Sequence, residues 1–141
     1  MTSQVNHIEI QSKTSFLTAI LRADGIVALI PSLILVLASG PVAELIELET
    51  PAALVVVGLV LVAYALMLLF YAGREPANRR VAQIAVVLNF LWVVDSYAGL
   101  LLGWFPVNTA GKWAIALVAE VAFVFGILEL YALRRLNKET A

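Results

Sequence analysis

The chain has 141 residues, 62% hydrophobic and 13% charged, with a formal net charge of −1. A soluble domain is about half apolar and a quarter charged, so the excess here is a membrane signal rather than a large core. The near-neutral balance gives no electrostatic footprint for nucleic acid. The lack of cysteine excludes disulfides, thiolate chemistry and cysteine-ligated metals, and a lone histidine, His7, excludes a bis-histidine haem or a histidine-rich metal site within one chain.

Residues 1–14 are polar, with Val5, Ile8 and Ile10 as weak apolar punctuation. They read as a short cytoplasmic tail at the headgroups, with His7 solvated. Thr14 or Ser15 is placed to cap the first long helix. Phe16–Ala38 meets the requirement of about twenty apolar residues for a span, interrupted by Arg22 and Asp24. Pro31 predicts a kink at mid-span. Ala19/Ala23 and Ala28/Ser32 are small residues four apart and predict a close helix neighbour. A secretory signal ending at Val36-Leu37-Ala38 is disfavoured by the acidic Asp24 at the border of its apolar region.

Gly40-Pro41 predicts the end of the first span and the start of a short amphipathic helix, Val42–Leu48, at the membrane surface. Its Glu44 and Glu47, with Glu49 beyond, read as a solvated face. Thr50-Pro51 starts the second span, which runs to about residue 72 without a charge and has Tyr64 as its polar group near mid-depth. A basic turn, Gly73–Arg80, leads to the third span at about 81–103. The turn Trp104–Thr109 leads to the fourth at about 112–134.

The expected fold is therefore all-α: an antiparallel bundle of four transmembrane helices, with a short interfacial amphipathic helix between spans 1 and 2. One membrane domain, residues 15–136 with spans at about 15–38, 51–72, 81–103 and 112–134, lies between a tail at 1–14 and another at 137–141. Lys13, Arg22, Arg74, Arg79, Arg80, Arg134, Arg135 and Lys138 fall on one side and Lys112 on the other. That asymmetry predicts cytoplasmic termini in a multi-pass inner-membrane protein. Trp104 and Trp113 then belong to the outer aromatic belt, and Tyr71 and Tyr131 to the inner one.

Ionisable groups inside a span need a partner or a purpose. At a rise of about 1.5 Å per residue, Asp95 and Glu120 both lie about 12 Å in from the outer turn. Neighbouring antiparallel spans would let them meet and share a proton; the alternative is that each bonds separately to a nearby donor, with Ser96, Tyr97 and Trp92 as candidates. A second level, toward the cytoplasm, holds Arg22, Asp24, Asn89 and Glu129. Here Arg22 is expected to pair with Glu129 or to snorkel to the headgroups. Glu120 and Glu129 fall on opposite faces of the fourth span, so one of them is free to face a second protomer. Small Ala119, Ala122 and Gly126 lie nearer the Glu129 side and predict close packing there. Trp92 sits between the two levels as a packing wedge.

Arg22-Ala23-Asp24-Gly25 and Asn89-Phe90-Leu91-Trp92-Val93-Val94-Asp95-Ser96 resemble a broad group of uncharacterised small bacterial four-helix membrane proteins. The layout is also loosely similar to the DoxX-like membrane proteins. The resemblance implies an integral bundle in a bacterial inner membrane and no activity. No phosphate loop, Ser-His-Asp set, zinc-protease motif or mid-span lysine is present. The sequence thus points away from an enzyme, a metal site or a bound cofactor. It points toward an accessory or homo-oligomeric membrane subunit whose surroundings are the lipid bilayer. The alternative is a proton-coupled carrier or a small-solute or lipid binder using the intramembrane carboxylates.

Overall fold

The computed structural model describes residues 1–140, with side chains described through Lys138. The described residues form five helices and no strand: α1 (Thr2–Leu37), α2 (Ser39–Leu45), α3 (Pro51–Tyr71), α4 (Ala77–Leu102) and α5 (Thr109–Thr140). Four of them, α1, α3, α4 and α5, are long and apolar enough to cross a membrane. The chain is an all-α four-span bundle, and α2 is the short helix between spans 1 and 2.

Two antiparallel pairs, α1 with α3 and α4 with α5, make up the bundle. They are joined mainly where α1 meets α5, and α3 touches α4 only slightly. One pole carries both chain ends and the α3–α4 turn; we call it the terminal pole. The loop pole carries α2 and the α4–α5 loop.

Each helix buries a stripe at three- and four-residue spacing. On α1 the stripe is Leu17, Ile20, Leu21, Asp24, Gly25 and Ser32; on α4 it runs from Asn78 through Val81, Ala82, Ala85, Asn89 and Ser96 to Gly99. The largest apolar cluster gathers at the terminal pole, where Leu17 and Leu21 meet Leu68, Ala82, Ala85, Leu133 and Leu136. Apolar side chains elsewhere face outward, among them Ile30, Val60, Leu91 and Leu117, as suits contact with lipid.

Lipid tails are as apolar as leucine, so close van der Waals packing must hold such helices together. Gly58 provides it on α3: a Cβ there would stand 2.8 Å from Val36 Cγ2 and 3.0 Å from the Ser32 carbonyl oxygen. The Ala28/Ser32 expectation thus finds its neighbour in α3, and Ser32 is fully buried. Ala19 and Ala23 are exposed instead, because the stripe passes through Ile20, Leu21 and Asp24.

Several boundaries differ from the sequence reading. Residues 2–14 are not a tail but the first turns of α1, since nothing between Thr2 and Thr14 breaks a helix. The expected caps point backward: Thr14 Oγ1 donates to the Ile10 carbonyl and Ser15 Oγ to the Ser12 carbonyl. Lys13 pairs with Glu9 one turn earlier. Likewise, α5 continues past residue 136 to Thr140, and Ala141 lies outside the described residues. At 36 residues, α1 is about 54 Å long against a hydrocarbon core of about 30 Å, so it projects well beyond any membrane it crosses.

The short helix begins earlier than expected, at Ser39, and takes Gly40-Pro41 into its first turn. Proline is tolerated there because the first backbone N–H groups of a helix have no intrahelical acceptor. It ends in a Schellman motif: Leu48 N–H donates to the Ala43 carbonyl and Glu47 N–H to the Glu44 carbonyl. Glu47 occupies the left-handed position, at φ 56°, that glycine usually takes. Asn108 ties the loop pole together. Its Oδ1 accepts from Gly111 N–H as the cap of α5, its Nδ2 donates to the Leu45 carbonyl, and its backbone N–H donates to the Ile46 carbonyl.

Candidate functional site

A buried polar centre draws one side chain from each spanning helix: Asp24 from α1, Tyr64 from α3, Asn89 from α4 and Glu129 from α5. Close helix approach assembles it. Next to Asp24, Gly25 lets α3 come so near that a Cβ would lie 3.2 Å from the Ala65 carbonyl oxygen, which brings Tyr64 alongside. On α5, Gly126 stands one turn before Glu129, and a Cβ there would touch Asn89 Cβ at 3.4 Å. Asp24, Asn89 and Glu129 lie on the buried stripes of their helices because they keep the apolar spacing.

Within the centre, Tyr64 Oη donates to Asp24 Oδ2 at 2.5 Å. Asn89 Nδ2 donates to the same Asp24 oxygen at 3.2 Å and to Glu129 Oε2 at 3.1 Å. One amide group thus bridges two carboxyls and spends both of its hydrogens. Glu129 is fully buried, and its Oε1 has no hydrogen-bond partner. No cation among the described residues pairs with either acid. Two carboxyls so close in so dry a place repel when both are charged, and the Asn89 and Tyr64 donors offset that only in part.

Of the inner level read from the sequence, Asp24, Asn89 and Glu129 come together and Arg22 does not. Arg22 is exposed, and its guanidinium Nη2 lies beside Gly73 at the α3–α4 turn, 3.2 Å from where a Cβ would sit. The expected Arg22–Glu129 ion pair does not form, because Arg22 is two residues, about 200°, around the helix from Asp24. Tyr64 completes the centre. Its signal in the sequence is a hydroxyl near mid-depth in a span without charges.

At the outer level, Asp95 and Glu120 do not meet. Ser96 points into the bundle, so Asp95 and Tyr97 fall on opposite flanks of α4, and α5 lies on the Tyr97 side. Tyr97 Oη donates to Glu120 Oε1. Asp95 is exposed and has no donor among the described residues. Ser96 is buried, and Trp92 is half-buried with its indole N–H enclosed and unpartnered. Trp92 thus fills space next to Asn89 on its helix without joining the hydrogen bonds of the centre. Among the described residues, no three acidic or histidine side chains gather as a metal site.

No family model, curated protein or solved structure matches the chain.

Proposed function

We propose that this four-span membrane protein is a non-enzymatic subunit that acts by assembly, either with copies of itself or in a larger membrane complex. The observation that carries the reading is Asp95. It stands mid-span on an exposed stripe with Leu88, Leu91 and Val94, and it has no donor among the described residues. A carboxyl facing hydrocarbon costs several kcal/mol, and a neighbouring helix that offers a hydrogen bond removes most of that cost. Two copies related by a two-fold axis beside α4 would bring each Asp95 against the other copy's α4 and out of the hydrocarbon. The basic residues at the terminal pole, against Lys112 at the other, support cytoplasmic termini. The resemblance in layout to small bacterial bundles supports an inner-membrane setting.

The cysteine-free chain allows a direct test. Single cysteines at Leu88, Leu91 and Val94 should form disulfide-linked dimers in vesicles, and Asp95→Leu should abolish them. A chain that stays monomeric in bilayers, with no cross-link at any of these positions, would exclude self-assembly through this face. Co-purification of a second membrane protein that is lost with Asp95→Leu would assign the face to a larger complex instead.

A second reading, a proton-coupled carrier, is favoured by the unpartnered Oε1 of Glu129 next to Asp24. In proteoliposomes, Glu129→Gln and Asp24→Asn would then reduce proton uptake to the level of empty vesicles. Uptake equal to that of the unmodified protein would rule the carrier out.

A further inference from the structure

A groove of about 630 Å³ opens at the terminal pole between α1 and the α3–α4 turn. Gln11, Thr14, Thr18, Arg22, Gly73 and Glu75 are among its lining residues. Its volume falls in the range of small-molecule sites. The two walls are fastened together, since Thr18 Oγ1 donates to the Ala72 carbonyl at 2.8 Å. Two opposite charges line this groove, and neither is used by the fold. Arg22 and Glu75 form no ion pair with each other or with any other described residue. Arg74, the neighbouring cation in the turn, is engaged elsewhere, with its guanidinium 3.7 Å from the Phe70 ring centroid.

The placement of the charges is ordered. Arg22 springs from one turn deeper in α1 than Thr18, which is level with the end of α3, and its guanidinium reaches up to Gly73. Because Gly73 lacks a side chain, the guanidinium is left uncovered. Glu75 lies in the turn itself, nearer to water. A guanidinium below and a carboxylate above, both unpaired, match a zwitterion whose anion is attached on the membrane side and whose cation is on the water side.

We infer that this groove binds the headgroup of a zwitterionic phospholipid with a primary ammonium. The phosphate sits on Arg22, the ammonium on Glu75, and the acyl chains run down the exposed apolar side of the bundle. Guanidinium–phosphate contact is the stronger of the two because it is bidentate. The Glu75 contact discriminates, because a primary ammonium donates hydrogen bonds that a quaternary one cannot. Each charge-assisted bond is worth roughly tenfold in retention.

The test is native mass spectrometry of the chain released from nanodiscs holding equal amounts of phosphatidylethanolamine, phosphatidylcholine and phosphatidylglycerol. The unmodified protein should retain phosphatidylethanolamine about tenfold over phosphatidylcholine. Arg22→Gln should lower retention of all three lipids by about tenfold. Glu75→Gln should lower retention of phosphatidylethanolamine to that of phosphatidylcholine while leaving phosphatidylcholine unchanged, and Arg80→Gln, outside the groove, should change nothing. Equal retention of the two zwitterionic lipids by the unmodified chain would overturn the inference. So would a preference that survives Glu75→Gln, or a loss with Arg80→Gln equal to that with Arg22→Gln. Soluble glycerophosphoethanolamine separates the two sources of the same headgroup. Failure to displace the lipid supports a lipid site, and displacement at comparable concentration overturns it.

Discussion

Asn89 and Asp24, 65 residues apart in the chain, are joined by a single buried hydrogen bond from amide to carboxyl. That bond links the α1–α3 pair to the α4–α5 pair. An average interhelical hydrogen bond in a membrane is worth only about 0.6 kcal/mol. Removing this donor does more, because it leaves two carboxyls short of a partner at once. Asn89→Leu should destabilise the bundle by about 2–4 kcal/mol, read from unfolding in mixed micelles. Glu129→Gln should cost less than about 1 kcal/mol, because the amide keeps the acceptor and removes the charge conflict. A large loss with Glu129→Gln would show that the centre holds Glu129 ionised.

The crossing of α1 and α3 depends on glycine at two levels. At Gly58 a Cβ would meet Val36, Leu35 and the Ser32 carbonyl at 3.0 Å or less. Gly58→Val should therefore lower stability by about 1–3 kcal/mol through overpacking. Nothing lies within 4 Å of where a Cβ on Gly40 would sit, so Gly40→Ala should be nearly silent. Thermal unfolding in detergent distinguishes the two.

At the loop pole, Asn108→Ala removes the cap of α5 and the side-chain tie to the Leu45 carbonyl together. The expected loss is about 1–2 kcal/mol. Hydrogen exchange localises it: amides of residues 43–48 and 109–112 should exchange faster while those around Ala85 stay protected. Uniform exchange throughout the chain would contradict this local role.

Glu47 offers a stabilising change. A non-glycine residue in the left-handed region costs about 1–2 kcal/mol, partly offset by the flexibility that glycine adds to the unfolded chain. Glu47→Gly should raise stability by about 0.5–1 kcal/mol with no change in helix content. A fall in the unfolding midpoint would mean that the carboxylate of Glu47 makes a contact worth more than the backbone strain.

The spans were legible because about twenty apolar residues between turn signals leave few alternatives, and α3 keeps its expected start at Pro51. The polar centre was legible in part. Depth along the helix brought Asp24, Asn89 and Glu129 to one level, but depth alone also paired Asp95 with Glu120. What decided between them was rotation about α4, where one residue of difference sends Asp95 outward and Ser96 inward. Rotation of a helix is fixed by its neighbours: the close approach at Gly126 was expected from its small residues, but the one at Gly25, which seats Asp24 against α3, was not. The first fourteen residues misled for another reason. Polarity marked them as lying outside the hydrocarbon, which says nothing about whether the helix stops there.

The unbroken course of α1 from Thr2 to Leu37 has a mechanical consequence. A continuous helix transmits tilt and rotation along its axis. Between the projecting end and Asp24, however, α1 is gripped by the core at Leu17, Ile20 and Leu21 and by the Thr18 bond to the Ala72 carbonyl. The projecting segment is thus an outrigger on a stem anchored at Leu17 and Thr18, one to two turns before the polar centre begins.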